Sequence, residues 1–290
     1  MADLTPELLA IAERLRYLPR EDFKARLKAE LKEKAMTATV AAIPKLMPYL
    51  VVRGAARLVD FMTQAFGAQE MERFAKPDGT IMHTAVRIGD AVVELGDANE
   101  QFPARPVALH LYLPDADAAY QRALAAGAKS THEPIDQPYG DREAGVEDPF
   151  GNKWYIATHL QGGYKPEGLR AVTPYLHVSG ADRLIEFLKQ AFGAEEAGVY
   201  RDPADGPVVH AKIRIGEEVI EMGEAHGPHQ PMPTGLHYYV SDVDAVHKRA
   251  VEAGGIPQEP PADRPYGERN STIIDPAGNS WFIATRLPAR

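Results

Sequence analysis

The chain has no cysteine. Composition alone therefore excludes disulfides, thiolate catalysis and cysteine-ligated metal. Tryptophan is nearly absent, with only Trp154 and Trp281. No run of about 18 apolar residues, the least that spans a bilayer, occurs, so no membrane partner is expected. Basic residues are outnumbered, 32 Lys and Arg against 41 Asp and Glu, for a net charge of −9. That balance argues against a nucleic-acid partner, which selects a basic face able to release counterions. The amino-terminal Met1-Ala-Asp-Leu-Thr-Pro6 has no basic region followed by an apolar core, so no secretion signal is read and a cytoplasmic protein is expected. What the chain does have is ordinary core material, 44% hydrophobic and 25% charged over 290 residues, enough for roughly two domains.

It also has a repeat. Tyr139-Gly-Asp-Arg142 followed by Asp148-Pro-Phe-Gly-Asn-Lys-Trp-Tyr-Ile-Ala-Thr158 returns 127 residues later. There it reads Tyr266-Gly-Glu-Arg269 and Asp275-Pro-Ala-Gly-Asn-Ser-Trp-Phe-Ile-Ala-Thr285. A match of that length at one offset marks a tandem duplication. Asp-Pro-x-Gly-Asn is a turn sequence, so residues 142–147 and 153–158, like 269–274 and 280–285, are predicted to pair as antiparallel hairpins. Asp148 and Asp275 are read as shaping these turns.

Four regions follow: an amino-terminal arm and linker (1–44), a first repeat (45–160), a linker (161–168) and a second repeat (169–290). In the arm, Thr5-Pro6-Glu7 is a helix start, and Phe23, Leu27 and Leu31 continue a second helix after Pro19. A helical hairpin is predicted there, as a packing element, a lid or a docking arm. Each repeat reads as strand–helix–three strands, twice over. In the first, a strand over 47–52 precedes a helix over 57–66 closed by Gly67, and strands near 70–75, 80–88 and 91–95 follow. The order then recurs with a strand at 107–113, a helix opened by Asp115 as N-cap, and strands near 130–135, 142–147 and 153–158. The second repeat copies this at offsets of 126, then 127.

These features together resemble the vicinal oxygen chelate superfamily, which includes glyoxalase I, bleomycin-resistance proteins, fosfomycin-resistance enzymes and extradiol dioxygenases. The carrying runs are Val52-Arg-Gly-Ala-Ala-Arg-Leu-Val-Asp-Phe61 with Ala65-Phe-Gly67, Leu113-Pro-Asp-Ala-Asp117 with Ala125-Ala-Gly127, and Asp148-Pro-Phe-Gly-Asn152, each repeated in the second half. The resemblance implies an α+β fold: a tandem pair of such domains, each of two βαβββ modules forming a curved mixed sheet around a cavity. Each repeat is expected to place its own two modules side by side.

In metal-dependent members of that superfamily, four strand positions supply His, Glu or Gln to a divalent ion. Here the resemblance places them at Met47, Glu94, Ala108 and Tyr155, and at Thr173, Glu221, Gly235 and Phe282. One carboxylate per repeat does not hold a catalytic metal, which needs at least three protein ligands. No cofactor is expected, with a shifted divalent-metal site using His110 with Glu94 and His237 with Glu221 as the rarer alternative. Strand alternation puts Ala108, His110 and Tyr112 on one face, and Gly235, His237 and Tyr239 likewise. Tyr49 and Tyr175 join them, and His83 and His210 form a further matched pair. The candidate ligand-binding residues are thus Tyr49, Glu94, His110, Tyr112, Tyr155, Tyr175, Glu221, His237, Tyr239 and Phe282, with Glu94 and Glu221 the candidate catalytic acids.

Three functions compete. The first is metal-independent binding of a small planar or aromatic molecule in each cup. The second is a lyase, isomerase or dioxygenase, metal-dependent or working by acid–base chemistry beside a carbonyl. The third is a scaffold that acts through the arm. The duplication can supply a pseudo-dimer within one chain, so either a monomer or a homodimer is expected.

Overall fold

The computed structural model describes residues 44–288 apart from Pro228. The predicted helical hairpin and the linker before residue 44 lie outside the described residues. Among the described residues, no helix is long and apolar enough to cross a membrane.

Each repeat contains the two expected modules. The first runs β1 (Leu46–Val52), α1 (Ala55–Phe66), β2 (Gln69–Ala75), β3 (Ile81–Ile88) and β4 (Ala91–Asp97), then β5 (Ala108–Tyr112), α2 (Ala116–Ala125), β6 (Lys129–Asp136), β7 (Asp141–Glu147) and β8 (Lys153–His159). The second runs β9 (Val172–Val178), α3 (Ala181–Phe192), β10 (Glu195–Arg201), β11 (Val208–Ile215) and β12 (Glu218–Glu224), then β13 (Gly235–Tyr239), α4 (Val243–Glu252), β14 (Ile256–Arg264), β15 (Glu268–Ile274) and β16 (Ser280–Arg286). Within a module the helix carries the chain from the inner strand to the outer edge. Three strands then step back, so that β4 lies parallel to β1 with Tyr49 opposite Glu94.

Helices α1 and α3 begin two residues before the positions read from sequence. Their N-caps, Gly54 and Gly180, make no side-chain cap bond of their own. The orphan amides at a helix start need acceptors, and here a carboxylate on β4 or β12 supplies them. Asp97 accepts from the Gly54 and Ala55 amides at 2.7 and 2.9 Å, and from Ile81 N at 2.7 Å. Glu224 accepts from Gly180 N and Ala181 N, both at 2.8 Å. Helices α2 and α4 start as predicted, with Asp115 and Asp242 accepting from the amides of Ala118 and Ala245.

The hairpins form in the predicted register, with Glu147 opposite Lys153 and Ile274 opposite Ser280. The Asp148 carboxylate accepts from the amides of Phe150 and Asn152, the Asn152 side chain, and the Trp154 indole at 2.9 Å. Asp275 repeats all four contacts, ending on Trp281. Each Asp therefore shapes its turn and also orients a tryptophan that is fully buried.

Apolar packing respects the repeats. One core gathers mainly residues of the first repeat, such as Leu58, Met62, Leu109, Leu111, Trp154 and Ile156, with Ala171 and Val172 from the second. The other gathers Leu184, Leu188, Leu236, Trp281 and Ile283 of the second, with Leu46 from β1. Arg122 Nε, on α2, donates to Ala65 O at the end of α1, and Arg249 on α4 does the same to Ala191 of α3.

The sheets do not respect the repeats. One eight-stranded sheet has the order β14-β15-β16-β13-β1-β4-β3-β2, the other β10-β11-β12-β9-β5-β8-β7-β6. Two mixed sheets of βαβββ modules are present, as expected. Each sheet, however, joins the first module of one repeat to the second module of the other. The seams are the antiparallel pairs β1 with β13, where Met47 faces His237, and β5 with β9, where His110 faces Thr173. The expectation that each repeat sets its own modules side by side in one sheet is corrected here. Duplication makes β5 and β13 near-equivalent partners for β1, so strand pattern alone does not choose between them. Packing chooses: α1 and α2 share a core on the helix side, and the sheets are completed across the repeats.

Candidate functional site

The alternation read from sequence holds. Leu109 and Leu111 enter the helix-side core, and His110 and Tyr112 face the other way. Because the sheets exchange modules, each cup draws on both repeats. The first cup holds Tyr49 and Glu94 from the first repeat with His237, Tyr239 and Phe282 from the second. The second cup holds Tyr175 and Glu221 with His110, Tyr112 and Tyr155.

In the first cup, His237 Nδ1 donates to Glu94 Oε2 at 2.6 Å, and both groups are buried. Burial alone would push the imidazole down, but the Glu94 carboxylate prevails and holds it above its ordinary value. The Tyr49 ring lies 5.1 Å from Phe282 and 6.0 Å from His83, and Phe102 stands 5.8 Å from Phe282. Burial, with Glu94 adding to it, pushes the Tyr49 hydroxyl well up, so the phenol stays protonated. The rings of Tyr49, Phe102 and Phe282 wall a cavity of about 170 Å³ whose polar margin includes Gln101, Arg105, Gln258 and Thr272. Gln101 Nε2 donates to Glu259 Oε1 at 2.6 Å beside it. Tyr239 sits to one side, donating to Glu268 at 2.6 Å under the Arg286 guanidinium.

In the second cup, His110 Nδ1 donates to Glu221 Oε2 at 2.7 Å. The shifted-metal alternative paired His110 with Glu94 and His237 with Glu221; both pairings are corrected, because the exchange of modules puts each His beside the other repeat's Glu. Burial acts first on both groups, lowering His110 and raising Glu221, and is outweighed in each case. The imidazole ends above its ordinary value. Glu221, facing His110, His210 and Lys212, is held at about 2. Both shifts favour the ionised form of the pair.

Tyr155 and Tyr175 pack edge to face with centroids 5.4 Å apart. The Tyr155 hydroxyl lies 2.8 Å from His177 Nε2, and the His177 ring stacks on His229 at 5.2 Å. Tyr112 is set deeper than sequence reasoning placed it. It is buried against Leu169 and Tyr164, and its hydroxyl donates to Asp141 at 2.8 Å.

Sequence reasoning missed His132, Glu143, His177 and His229 in the second cup, and Phe102 in the first. The available signal was asymmetry between repeats. At matched positions, His177 replaces Val51, His229 replaces Phe102, Tyr155 replaces Phe282, and Glu143 replaces Asn270. Seven of the ten histidines, His110, His132, His159, His177, His210, His226 and His229, belong to the second cup's modules and the loop after β12. The first cup is aromatic and the second is lined with imidazole. Among the described residues, no three His, Asp or Glu side chains are grouped so as to hold a metal ion.

His177 carries a pH signature. Burial, then His229, Lys153 and His226, push it down to about 4. Between pH 6.5 and 4 the unfolded chain binds a proton there that the folded chain refuses, so this group's stabilising contribution is lost as pH falls through that window. The full effect is at most about 3 kcal/mol. His177→Val, which installs the first cup's residue, is expected to flatten the acid side of the stability profile. Urea melts of both proteins from pH 7 to 4 check this; parallel profiles would refute it.

The model of the Glyoxalase/Bleomycin resistance protein/Dioxygenase superfamily matches residues 42–156 and 171–283. An uncharacterized protein of Mycobacterium tuberculosis is 40% identical over 131 residues, covering 41% of this chain and 77% of that protein. The anthracycline biosynthesis protein DnrV of Streptomyces peucetius is 26% identical over 174 residues, 58% of this chain and 62% of that protein. Among solved structures, glyoxalase I of Zea mays superposes with a TM-score of 0.62 at 18% identity, covering 83% of this chain and 92% of that one, a likeness of fold. With both repeats matched over most of their length, and two mixed sheets of paired βαβββ modules, the chain belongs to the glyoxalase/bleomycin resistance protein/dioxygenase superfamily.

Proposed function

We propose that the protein binds a small planar aromatic molecule without the help of a metal. The observation that carries this reading is the first cup's cavity of about 170 Å³ between the rings of Tyr49, Phe102 and Phe282. An apolar cavity of roughly 150 Å³ accepts benzene, so the space suits one or two fused rings, with any larger ring system extending past the open margin. Aromatic walls with a few polar groups at the rim are the usual make-up of a small-molecule site. The likeness to a protein of anthracycline biosynthesis is in keeping with a planar aromatic ligand.

The superfamily's metal does not fit the residues present. The four positions that would hold it are Met47, Glu94, Gly235 and Phe282 in the first cup, and Thr173, Glu221, Ala108 and Tyr155 in the second. Only the two glutamates are suitable donors, and each already accepts from a histidine Nδ1. Met, Gly, Ala and Phe supply no ligand for a hard or borderline ion.

Equilibrium dialysis with 2-methoxynaphthalene tests the reading. Saturable binding is expected, unchanged by excess chelator and weakened about tenfold in Phe282→Ala, which loses both stacking and buried area. Linear, non-saturating uptake, or binding abolished by chelator, would sink it. The two tryptophans lie on the helix side of their strands, packed on Phe66 and Phe192. Dialysis is therefore a more direct readout than tryptophan quenching by contact.

A further inference from the structure

Among the described residues, four buried side-chain polar atoms lack a hydrogen-bond partner, and two of them are His110 Nε2 and His132 Nε2. Both face one carboxylate. His110 Nε2 is 3.5 Å from Glu143 Oε2, and His132 Nε2 is 3.6 Å from Glu143 Oε1. These separations are too long for good hydrogen bonds but short enough for a third polar atom to bridge. A buried donor left unpaired is costly, so the arrangement favours an occupant that both accepts and donates. The Tyr139 hydroxyl donates to Glu143 Oε2 at 3.2 Å, and Tyr139 as a residue is exposed.

The charges narrow the occupant further. The Glu221 carboxylate holds His110 above its ordinary value, which favours the form whose Nε2 donates. Glu143 and Asp141 add negative charge nearby, and Asp141 is engaged by His159 and Tyr112. A ligand anion would meet the Glu143 carboxylate and be repelled. A neutral hydroxyl satisfies both sides, accepting from His110 Nε2 and donating to Glu143.

The approach is built into the backbone. A Cβ at Gly145 would come within 2.4 Å of His132 Nδ1 and 2.2 Å of Thr131 Oγ1, so only glycine there lets the imidazole lie across β7. In the first cup the matched residues are Thr272 for Gly145, Glu259 for His132 and Asn270 for Glu143. That cup therefore has no counterpart of the His132 imidazole, of the Glu143 carboxylate or of the glycine at 145.

Resting on the reading that the cups bind aromatic ligands, we propose that the second cup is a separate site selective for a hydroxylated aromatic ring, its phenolic hydroxyl held between His110 Nε2 and Glu143. Tyr155 and Tyr175 supply the flat walls. The two cups of one chain thus take ligands of different chemistry, an apolar ring in the first and a phenol in the second.

Equilibrium dialysis of the full chain against 2-naphthol and 2-methoxynaphthalene tests this at neutral pH. The expected result is one more site for the naphthol than for its methyl ether. Glu143→Gln should weaken that extra site by at least about tenfold and leave the ether's site unchanged; Phe282→Ala should do the reverse. His132→Ala, at a half-buried position, should also weaken only the extra site. Equal stoichiometry for the two probes, or naphthol binding indifferent to Glu143→Gln, would overturn the proposal. Loss of the ether's site alone would overturn the metal-free aromatic reading of the first cup while the phenol site stands.

Discussion

Glu221→Ala is expected to destabilise the fold by about 3–5 kcal/mol, the usual cost of stranding one member of a buried ion pair. Glu221 is 1% exposed. Removing it leaves His110 buried without its 2.7 Å acceptor, and leaves His210 Nε2 and Lys212 Nζ without the carboxylate they face at 3.7 Å. Glu221→Gln keeps the volume and an oxygen for His110 Nδ1, and is expected to cost less than half as much. The pH dependence fixes the origin of the effect. Glu221 is lowered from 4.5 to about 2, so its contribution is complete above 4.5 and lost as pH falls towards 2. His110 is raised from 6.5, so its contribution is complete below 6.5 and lost as pH rises through the raised value. The gap in stability between wild type and Glu221→Gln should therefore peak between pH 4.5 and 6.5. Urea unfolding across pH 3 to 9 measures this; a gap independent of pH would refute the ion pair.

Asp275→Ala is expected to cost about 3 kcal/mol, lowering the melting temperature by roughly 6–12 °C for a chain of this size. The substitution strands two backbone amides, the Asn279 side chain and the Trp281 indole. Trp281 and Asn279 are fully buried, so water cannot replace what is lost, and unpaired buried donors carry their full desolvation cost. Burial pushes the Asp275 carboxyl up, against the lowering by those same donors. Asp275→Asn should recover part of the loss, because the amide oxygen still accepts on one side. Asp148→Ala is expected to behave alike in the first repeat. Thermal melts followed by near-ultraviolet circular dichroism would report both the stability and the indole's environment; a melting point within about a degree of wild type would contradict the role given to this carboxylate.

The fold was legible where local chemistry marks it. Asp-Pro-x-Gly-Asn set the hairpins, Gly67 closed a helix, and Asp115 and Asp242 opened two others. The starts of α1 and α3 were not legible, because their capping carboxylates, Asp97 and Glu224, lie more than 40 residues away. The pairing of β1 with β13 was not legible for a different reason: a duplicated chain offers two near-identical partners for every seam, and only the three-dimensional core decides. Of the site, His110 and His237 were found by alternation along strands, and Glu94 and Glu221 through the resemblance to the superfamily's ligand positions. His177, His229 and Glu143 escaped notice because they differ from their counterparts Val51, Phe102 and Asn270. In a search guided by what the repeats share, a functional difference looks like drift.

The exchange of modules between sheets has a consequence for the history of this chain. One repeat alone would carry two unfinished halves of a cup, and two copies about a two-fold axis would finish both. The geometry is that of a symmetric dimer whose subunits have been joined end to end. Fusion removes the dependence on subunit concentration, since the second half is always at hand. It also lifts a constraint that symmetry imposes. In a dimer of identical subunits, one codon change alters both sites at once, whereas in the fused chain valine at 51 and histidine at 177 are separate choices.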